Sequence, residues 1–248
     1  MKIGLTVEQF VNSLIRIENM IENRRFLAVV PARGGSKSVP QKNIRSLGGR
    51  PLLHHTVDQL QAVTEIDCAV VSTDDEKIRD VAKSVGVRVI DRPAELSGDT
   101  APTELALIHA LDKLADQGEY FDYVMVLEPT SPFRSSATIR RCMNRIVRDN
   151  GQSLMTVIET RSNIGVLEEG YFKPLNSGAP RRRQEREPFF VESSTVYISR
   201  VDFLRETGSL VCQNWLSEIV EENEAIDINS PLDFKIAEAI FSLRTMEA

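Results

Sequence analysis

A loop rich in cations, hydroxyls and glycines follows the first apolar run of the chain. The run FLAVV at 26–30 continues directly into PARGGSKSVPQKN at 31–43. No Asp or Glu occurs from Arg33 to Val57, although the whole chain has a formal net charge of -6. The cations of this stretch are Arg33, Lys37, Lys42, Arg45 and Arg50. Such a local reversal of charge concentrates positive potential where an anion would bind.

The composition of this loop suits phosphate oxygens. Gly34 and Gly35 lack Cβ atoms, so consecutive backbone N–H groups can approach a ligand closely. Ser36 adds a hydroxyl donor. The spacing fits neither the GxxxxGK[ST] phosphate loop nor the GxGxxG dinucleotide fingerprint. An ordinary basic surface loop is the alternative interpretation, but the preceding strand, the paired glycines and the missing acids favour a phosphate site.

Length and composition predict a globular chain with one main domain. The 248 residues can bury a sizeable core, and 42% hydrophobic with 27% charged residues is typical of such proteins. No apolar run approaches the ~20 residues that cross a bilayer, and the first residues lack the apolar core of a secretory signal. We therefore expect a cytoplasmic protein without a membrane partner. The acidic chain has no long basic stripe, which argues against a nucleic-acid partner.

The cysteines and histidines do not form a pattern typical of a metal centre or a disulfide framework. The 3 cysteines are odd in number and widely spaced, so we expect buried thiols. The 3 histidines are too few for a metal cluster, and His54 and His55 are expected to pack within a helix.

Apolar runs with strand character alternate with helical patterns along the chain. We predict strands at 26–30, 68–72, 87–90, 122–129, 153–159 and 193–199. We predict helices at 7–21, 51–63, 73–86, 103–115, 135–151 and 231–243. Repeated strand, helix, strand units predict an α/β fold with a mostly parallel, Rossmann-like nucleotide-binding sheet flanked by helices.

Two of these helices carry more specific expectations. Asp74 and Asp75 are interpreted as helix-start residues rather than metal ligands. The helix at 103–115 is expected to bury one face, formed by Leu105, Ile108, Leu111 and Leu114.

The predicted topology indicates where a ligand would bind. In such sheets, ligands bind beyond the carboxyl ends of the strands, which selects the loops at 31–43, 72–75 and 128–134. Residues 160–195 are rich in Arg, Ser, Gly and Pro and show little periodicity. We interpret them as an inserted excursion or a dimer-forming arm.

Several runs, taken together and in order, resemble those of the acylneuraminate cytidylyltransferases, which make CMP-sialic acid and its bacterial relatives from CTP. The runs are PARGGSKSVPQKN, VSTDDEKI, DRPAELSGDTAP, LEPTSPFR, RRRQE and AIDINSPLD. The likeness covers about residues 26–242. It implies an N-terminal helical extension at 1–25 and a cytidylyltransferase domain at 26–248, with 160–195 as its dimerisation and sugar-site arm. The sister family that activates Kdo lacks the GGSK run in its first loop.

The resemblance implies transfer of a cytidylyl group from CTP to the anomeric hydroxyl of a sialic acid-like nonulosonic acid, an acidic nine-carbon sugar, with release of pyrophosphate. It assigns the catalytic positions to Arg33, Lys37 and Lys42. It assigns nucleotide binding to Ala32, Ser36, Asn43, Arg92, Thr100 and Ala101. For Arg92, which matches an arginine that contacts cytosine, a solvated turn cation is the alternative.

The sugar-site positions implied by the resemblance are Glu128, Arg183 and Tyr197. Glu128 departs from the family, which commonly has Gln there, and an ionised Glu only accepts hydrogen bonds. The sugar facing it is therefore expected to carry an amino group or a differently placed hydroxyl. Arg183 matches an arginine at the acid sugar, with a flexible basic arm as the alternative. Tyr197 matches a tyrosine near the sugar, with a core position as the alternative.

The metal positions implied by the resemblance are Asp227 and Asn229, which would hold Mg2+ or Mn2+. The family usually has two aspartates there, so the amide at 229 removes one negative charge. The resemblance also implies a homodimer. Two other functions stay open: a Kdo or amino-Kdo cytidylyltransferase, and a nucleotide-binding member with reduced catalysis. The sequence identifies neither the sugar nor the general base.

Overall fold

The computed structural model describes residues 21–35 and 38–247. The helix predicted at 7–21 lies outside these residues apart from Ile21, which begins a single 3-10 turn, Ile21–Asn23. Ser36 and Lys37 also lie outside them.

A central sheet of seven strands organises the fold. In their spatial order, the strands are β11 (Leu216–Ile219), β7 (Ser153–Thr160), β10 (Phe189–Arg200), β6 (Tyr123–Val126), β1 (Phe26–Pro31), β4 (Cys68–Thr73) and β5 (Arg88–Asp91). β10 runs antiparallel to both of its neighbours, and every other pair in the sheet is parallel. The predicted α/β fold with a mostly parallel sheet is confirmed.

Helices cover both faces of this sheet. They are α1 (Leu52–Gln61), α2 (Glu76–Ser84), α3 (Thr103–Ala115), α4 (Ser136–Arg148), α5 (Val201–Thr207) and α6 (Pro231–Glu247). Alternate residues of a strand point to opposite faces. Phe26, Ala28 and Val30 accordingly join one hydrophobic cluster with α1, α2 and α4, whereas Leu27 and Val29 join another with α3. No helix of the described residues is both long and apolar enough to cross a bilayer.

Two helices begin at the capping residues that the sequence indicates. The Asp75 side chain accepts a hydrogen bond of 2.9 Å from the N–H of Ile78, which confirms its helix-start role. The Ser135 hydroxyl accepts a hydrogen bond of 3.0 Å from the N–H of Thr138 at the start of α4. Each cap fixes the loop that precedes its helix, and both loops lie at the edge formed by the carboxyl ends of the parallel strands.

The buried face of α3 differs from the expected one. The helix has the predicted bounds, but Leu105 is 42% exposed. The buried side chains are Ala106, Leu107, Ala110, Leu111 and Leu114. Residues three positions apart advance by less than one turn of 3.6 residues, so a set spaced strictly by three drifts around the helix. The expected set therefore mixed buried and exposed positions.

The segment that was expected to be an irregular arm is shorter than predicted. β7 continues to Thr160 and pairs there with Phe189, where β10 begins. Between them lie a two-stranded hairpin of β8 (Gly165–Glu168) and β9 (Tyr171–Pro174), and a 3-10 turn at Arg183–Glu185. The excursion from the sheet therefore spans 161–188.

A third hydrophobic cluster connects α6 to the loops above the sheet. Val39, Leu52, Phe133, Ile228 and Phe234 are buried together in this cluster. The N–H of Ile228 also donates a hydrogen bond of 2.9 Å to the carbonyl of Thr130. The segment that precedes α6 is therefore fixed against the loop that follows β6. A short ribbon of β2 (Ser46–Leu47) and β3 (Arg50–Pro51) pairs beside it.

Candidate functional site

A cavity of about 580 Å³ opens at the carboxyl ends of the parallel strands. Its lining comes from the loops after β1, β5 and β6 and from the segment before α6. Predicted site residues in this lining are Arg33, Lys42, Asn43, Arg92, Ala101, Glu128 and Asn229. The rule that ligands bind beyond the carboxyl ends of the strands thus selected the correct edge of the sheet. Chain segments that are far apart in sequence meet there.

The loop after β1 is held in a tight conformation by its own neighbours. The amide of Asn43 donates a hydrogen bond of 3.0 Å to the carbonyl of Arg33. The N–H of Gly34 donates one of 3.1 Å to Asp74. A Cβ at Gly34 would lie 2.5 Å from the Asp75 carboxylate, so only glycine allows this approach without movement.

Arg33 is positioned by a carboxylate across the cavity. Its guanidinium lies 2.9 Å from Asp99, and both side chains are partly exposed. The pair crosses from the loop after β1 to the loop after β5. Arg33 is therefore oriented before a phosphate binds, and the phosphate would replace Asp99 as its partner.

Lys42 occupies the centre of the charged site. Its ammonium donates a hydrogen bond of 2.8 Å to the carbonyl of Ile228. Burial lowers the pKa of Lys42, whereas the nearby carboxylates of Asp227 and Glu128 raise it. This cation therefore lies between the predicted phosphate loop and the two acidic positions.

Arg92 is a buried residue of the cavity lining with unused hydrogen-bond donors. Its side chain lines the cavity and the residue is only 8% exposed. Neither Nε nor Nη2 has a hydrogen-bond partner in the described part of the chain. Asp74 lies 3.8 Å away and opposes the lowering of the Arg92 pKa by burial. A planar donor group of this kind suits the carbonyl edge of a flat base, and the solvated-turn alternative does not describe a buried residue.

The role of Asp74 was only partly anticipated. Asp75 caps α2, but Asp74 instead binds Gly34 and faces Arg92. The expectation that both acids only start the helix was therefore wrong for Asp74. Its position after β4, at the ligand-binding edge, was the available signal.

The other predicted nucleotide positions differ in their access to the cavity. Ala101 lines it, and its N–H donates a hydrogen bond of 3.1 Å to the carbonyl of Gly98. Thr100 is exposed and is not part of the lining. Ala32 is buried, with its N–H bonded to the carbonyl of Ser72 at 3.0 Å. Ser36 and Lys37 lie outside the described residues, so their roles stay predictions.

Glu128 adds a partly buried carboxyl group to the cavity lining. Burial raises its pKa, and the negative charge of Asp227 raises it further. The hydroxyl of Thr130 donates a hydrogen bond of 3.3 Å to this carboxylate. The carbonyl of Glu128 accepts one of 2.6 Å from Arg134, a buried residue to which the sequence interpretation gave no role.

Asp227 and Asn229 lie side by side, as alternate residues of an extended segment should. The Asn229 amide donates a hydrogen bond of 2.5 Å to Oδ2 of Asp227. The other oxygen, Oδ1, is buried and has no partner among the described residues. A carboxylate oxygen in that state, next to an amide oxygen, fits a hard divalent cation. No cluster of three or more acidic, His or Cys side chains suitable for a metal occurs in 21–35 and 38–247, so further ligands would come from a nucleotide.

Two predicted sugar positions do not line the cavity in a single chain. Arg183 is exposed on the 3-10 turn of the excursion. Tyr197 is half-buried against the α3 side of the sheet, and its hydroxyl donates a hydrogen bond of 2.5 Å to Glu192. β10 is interrupted by a bulge between Ser193 and Tyr197, where its pairing with β7 shifts register.

Comparison with known proteins agrees with this arrangement. A family model described as cytidylyltransferase matches residues 27–225. CMP-N,N'-diacetyllegionaminic acid synthase of Legionella pneumophila is 32% identical over 231 residues, which cover 88% of this chain and 97% of that protein. Pseudaminic acid cytidylyltransferase of Campylobacter jejuni is 24% identical over 230 residues, which cover 88% of this chain and 96% of that protein.

A solved structure shares the fold. CMP:2-keto-3-deoxy-manno-octonic acid synthetase complexed with CTP superposes with a TM-score of 0.68 at 16% identity, over 90% of this chain and 100% of that chain. At this identity the likeness concerns the fold alone. The family model, by contrast, spans most of the chain and every loop of the cavity except the segment before α6. The chain therefore belongs to the cytidylyltransferase family and is a nucleotidyltransferase.

Proposed function

We propose that this enzyme transfers the cytidylyl group of CTP to the anomeric hydroxyl of a sialic acid-like nonulosonic acid, giving the CMP-sugar and pyrophosphate. The observation that carries the proposal is the single cavity in which Arg33, Lys42 and Arg92 face Glu128 and Asn229. The cations suit a triphosphate, and the acceptors suit a polyhydroxyl sugar. The relatives named for legionaminic and pseudaminic acids support nine-carbon acids as the sugar class.

The nucleotide would bind with its base at Arg92 and its phosphates along the loop after β1. The unused donors of Arg92 suit the cytosine carbonyl, and the nearby backbone around Ala101 would contact the rest of the base. Arg33 and Lys42 would hold the phosphate oxygens, assisted by Ser36 and Lys37. Because such transfer depends on positioning and charge stabilisation, fixed cations are the main contribution that this chain makes.

The chemical step would be an in-line displacement. The anomeric oxygen of the sugar forms a bond to the α-phosphorus while the bond to the pyrophosphate oxygen breaks. The hydroxyl proton is transferred to a general base, which the residues of the cavity do not identify. Lys42, fixed by Ile228, would keep its charge close to the reacting phosphate. Asp227 and Asn229 would hold Mg2+ or Mn2+, which when bound neutralises phosphate charge.

The reaction can be tested by measuring pyrophosphate release from CTP against a panel of acids. The panel contains legionaminic, pseudaminic and N-acetylneuraminic acids, with Kdo as the eight-carbon comparison, each with Mg2+ and with Mn2+. We expect release with at least one nine-carbon acid, at a higher kcat/KM than with Kdo. Release with Kdo alone would assign the enzyme to the sister activity. No release with any acid, despite CTP binding, would indicate a member with lost catalysis.

Replacement of Lys42 tests the charge at the phosphates. Lys42→Met should lower kcat at least ~100-fold, because it removes a preorganised cation from the transferring group. Lys83→Met, at an exposed position of α2, is the matched control. Steady-state kinetics with saturating CTP measure the effect, and thermal unfolding monitors the Ile228 contact. A kcat near that of the control would exclude Lys42 from the chemistry.

Replacement of Asn229 tests the metal position. Asn229→Asp adds a second carboxylate beside Asp227 and should lower the Mg2+ concentration for half-maximal rate by about 3- to 10-fold. Asn214→Asp, at an exposed position, controls for the added charge alone. If both variants leave the Mg2+ dependence unchanged, position 229 does not contact the metal.

A homodimer would complete the sugar end of the site. The β8–β9 hairpin exposes apolar side chains, among them Leu167 at 76% and Phe172 at 51%. Exposed apolar patches of this kind are typical of interaction surfaces. Arg183 lies on the same excursion and outside the cavity of its own chain. A second copy covering the hairpin would bring Arg183 to its partner's sugar carboxylate.

The dimer can be tested by light scattering coupled to gel filtration. The native chain should elute at twice 27.8 kDa, and Leu167→Glu combined with Phe172→Glu should yield the single mass. That variant should also raise the KM for the sugar more than the KM for CTP. Tyr120→Glu, which replaces another exposed aromatic residue away from the hairpin, should change neither. A native chain that elutes as a monomer at assay concentration would contradict the proposal.

A further inference from the structure

Arg134 is a buried arginine to which the proposed reaction assigns no task. It lies at the end of the loop after β6, immediately before Ser135, and is only 2% exposed. A guanidinium is among the side chains least often buried, and it is retained in interiors mainly where it is paired. No ion pair within 4.0 Å involves Arg134 among the described residues. Its contacts therefore have to explain its position.

The main contact of Arg134 is with the backbone of Glu128. Its Nη2 donates a hydrogen bond of 2.6 Å to the Glu128 carbonyl. The same oxygen accepts a hydrogen bond of 3.3 Å from the N–H of Ser131. The guanidinium thus binds the first carbonyl of the turn from Glu128 to Ser131, while the Glu128 side chain faces the cavity. The hydroxyl of Thr56 also donates to this carbonyl, at 3.5 Å, so Arg134 is one of three donors that hold the turn.

The electrostatic surroundings of Arg134 connect it to the same end of the site. Burial lowers its pKa, whereas the carboxylates of Glu128, Asp227 and Glu224 raise it. Glu224 is already engaged, because it accepts hydrogen bonds of 2.9 Å from Ser135 and 2.6 Å from Thr138. Of the three carboxylates, Glu128 and Asp227 influence Arg134 most, and Glu128 lines the cavity.

We propose that Arg134 is a positioning residue for the sugar subsite, which acts by holding the Glu128 turn and by placing a fixed positive charge behind its carboxylate. This inference rests on the proposed function, because it takes Glu128 as a sugar-binding group. Only Nη2 of its guanidinium binds the carbonyl, whereas Nε and Nη1 are buried and have no hydrogen-bond partner among the described residues. A lysine retains the charge but offers a different geometry.

A double-mutant cycle tests whether Arg134 acts through Glu128. The variants are Arg134→Lys, Glu128→Ala and the combination, assayed for KM and kcat with the acid that the panel identifies. We expect Arg134→Lys to raise the KM for the sugar by about 10-fold and to change the KM for CTP by less than about 2-fold. In the Glu128→Ala background, which lacks the carboxyl group that Arg134 positions, the same substitution should change the KM for the sugar by less than about 2-fold, because coupled residues are not additive.

Arg140→Lys provides the matched control. Arg140 lies on α4 and donates hydrogen bonds of 2.8 Å to Glu65 and 2.5 Å to the carbonyl of Ala62. Neither arginine lines the cavity itself, but Arg134 binds Glu128, which does, whereas the partners of Arg140 do not. We expect it to alter thermal stability without altering the KM for the sugar.

The outcomes separate this inference from the proposed function. Two results with an active native enzyme would overturn the inference alone. One is that the effects of the two substitutions on the KM for the sugar multiply. The other is that Arg140→Lys raises this KM as much as Arg134→Lys does. If Arg134→Lys does not fold, Arg134→Met is assayed in its place. Failure of both to fold assigns Arg134 to the core and also overturns the inference. A native enzyme that releases no pyrophosphate with any acid overturns the proposed function and the inference with it.

Discussion

One hydrogen bond, from Lys42 to Ile228, connects the loop after β1 to the segment before α6, and the surrounding packing holds both residues in place. Lys42 and Ile228 are 186 residues apart in sequence, yet the ammonium lies 2.8 Å from the carbonyl. Ile228 is buried under α6, and its own N–H is bonded to the loop after β6. The contact thereby brings together the loop after β1, the loop after β6 and the segment that carries Asp227. The hydrophobic cluster that fixes Ile228 therefore also fixes the positions of these three segments relative to one another.

Charge balance explains how such a site exists in an acidic chain. Arg33 faces Asp99, Arg92 faces Asp74, and Lys42 lies near Asp227 and Glu128. Each cation is thus held near a carboxylate before any ligand binds, which limits repulsion among the cations. The carboxylates at Asp74 and Asp99 are at the edge of the cavity, where a phosphate could replace their interaction. The partly buried carboxylates of Glu128 and Asp227 lie near Lys42, where a cation or a donor-rich sugar would be favoured.

The sequence predicted the parts of this structure that depend on local patterns. Strand and helix alternation identified the parallel sheet. The rule for its carboxyl ends identified the loops after β1 and β6 that line the cavity, but it did not select the loop after β5. Asp75 and Gly86 marked the ends of α2 through capping and a positive φ of 74°. These features arise from neighbouring residues, so a single sequence contains enough information to predict them.

The features that the sequence did not reveal depend on contacts between distant residues. The pairing of Asp74 with Gly34 and Arg92 joins three separate loops. Arg134 resembles any other arginine in a polar loop until the fold buries it. The expected face of α3 was right for Leu111 and Leu114 but wrong for Leu105, because strict threefold spacing ignores the drift around the helix.

The antiparallel direction of β10 has a consequence for the evolution of the enzyme. Because β10 reverses the chain, Phe189 pairs with Thr160 at the same end of the sheet as the cavity. The excursion at 161–188 therefore departs from the rim of the site rather than from the opposite end of the fold. Residues 161–188 take no part in the hydrogen-bonded ladder of the central sheet, so insertions or replacements there would alter the rim of the site without removing a pair between its strands.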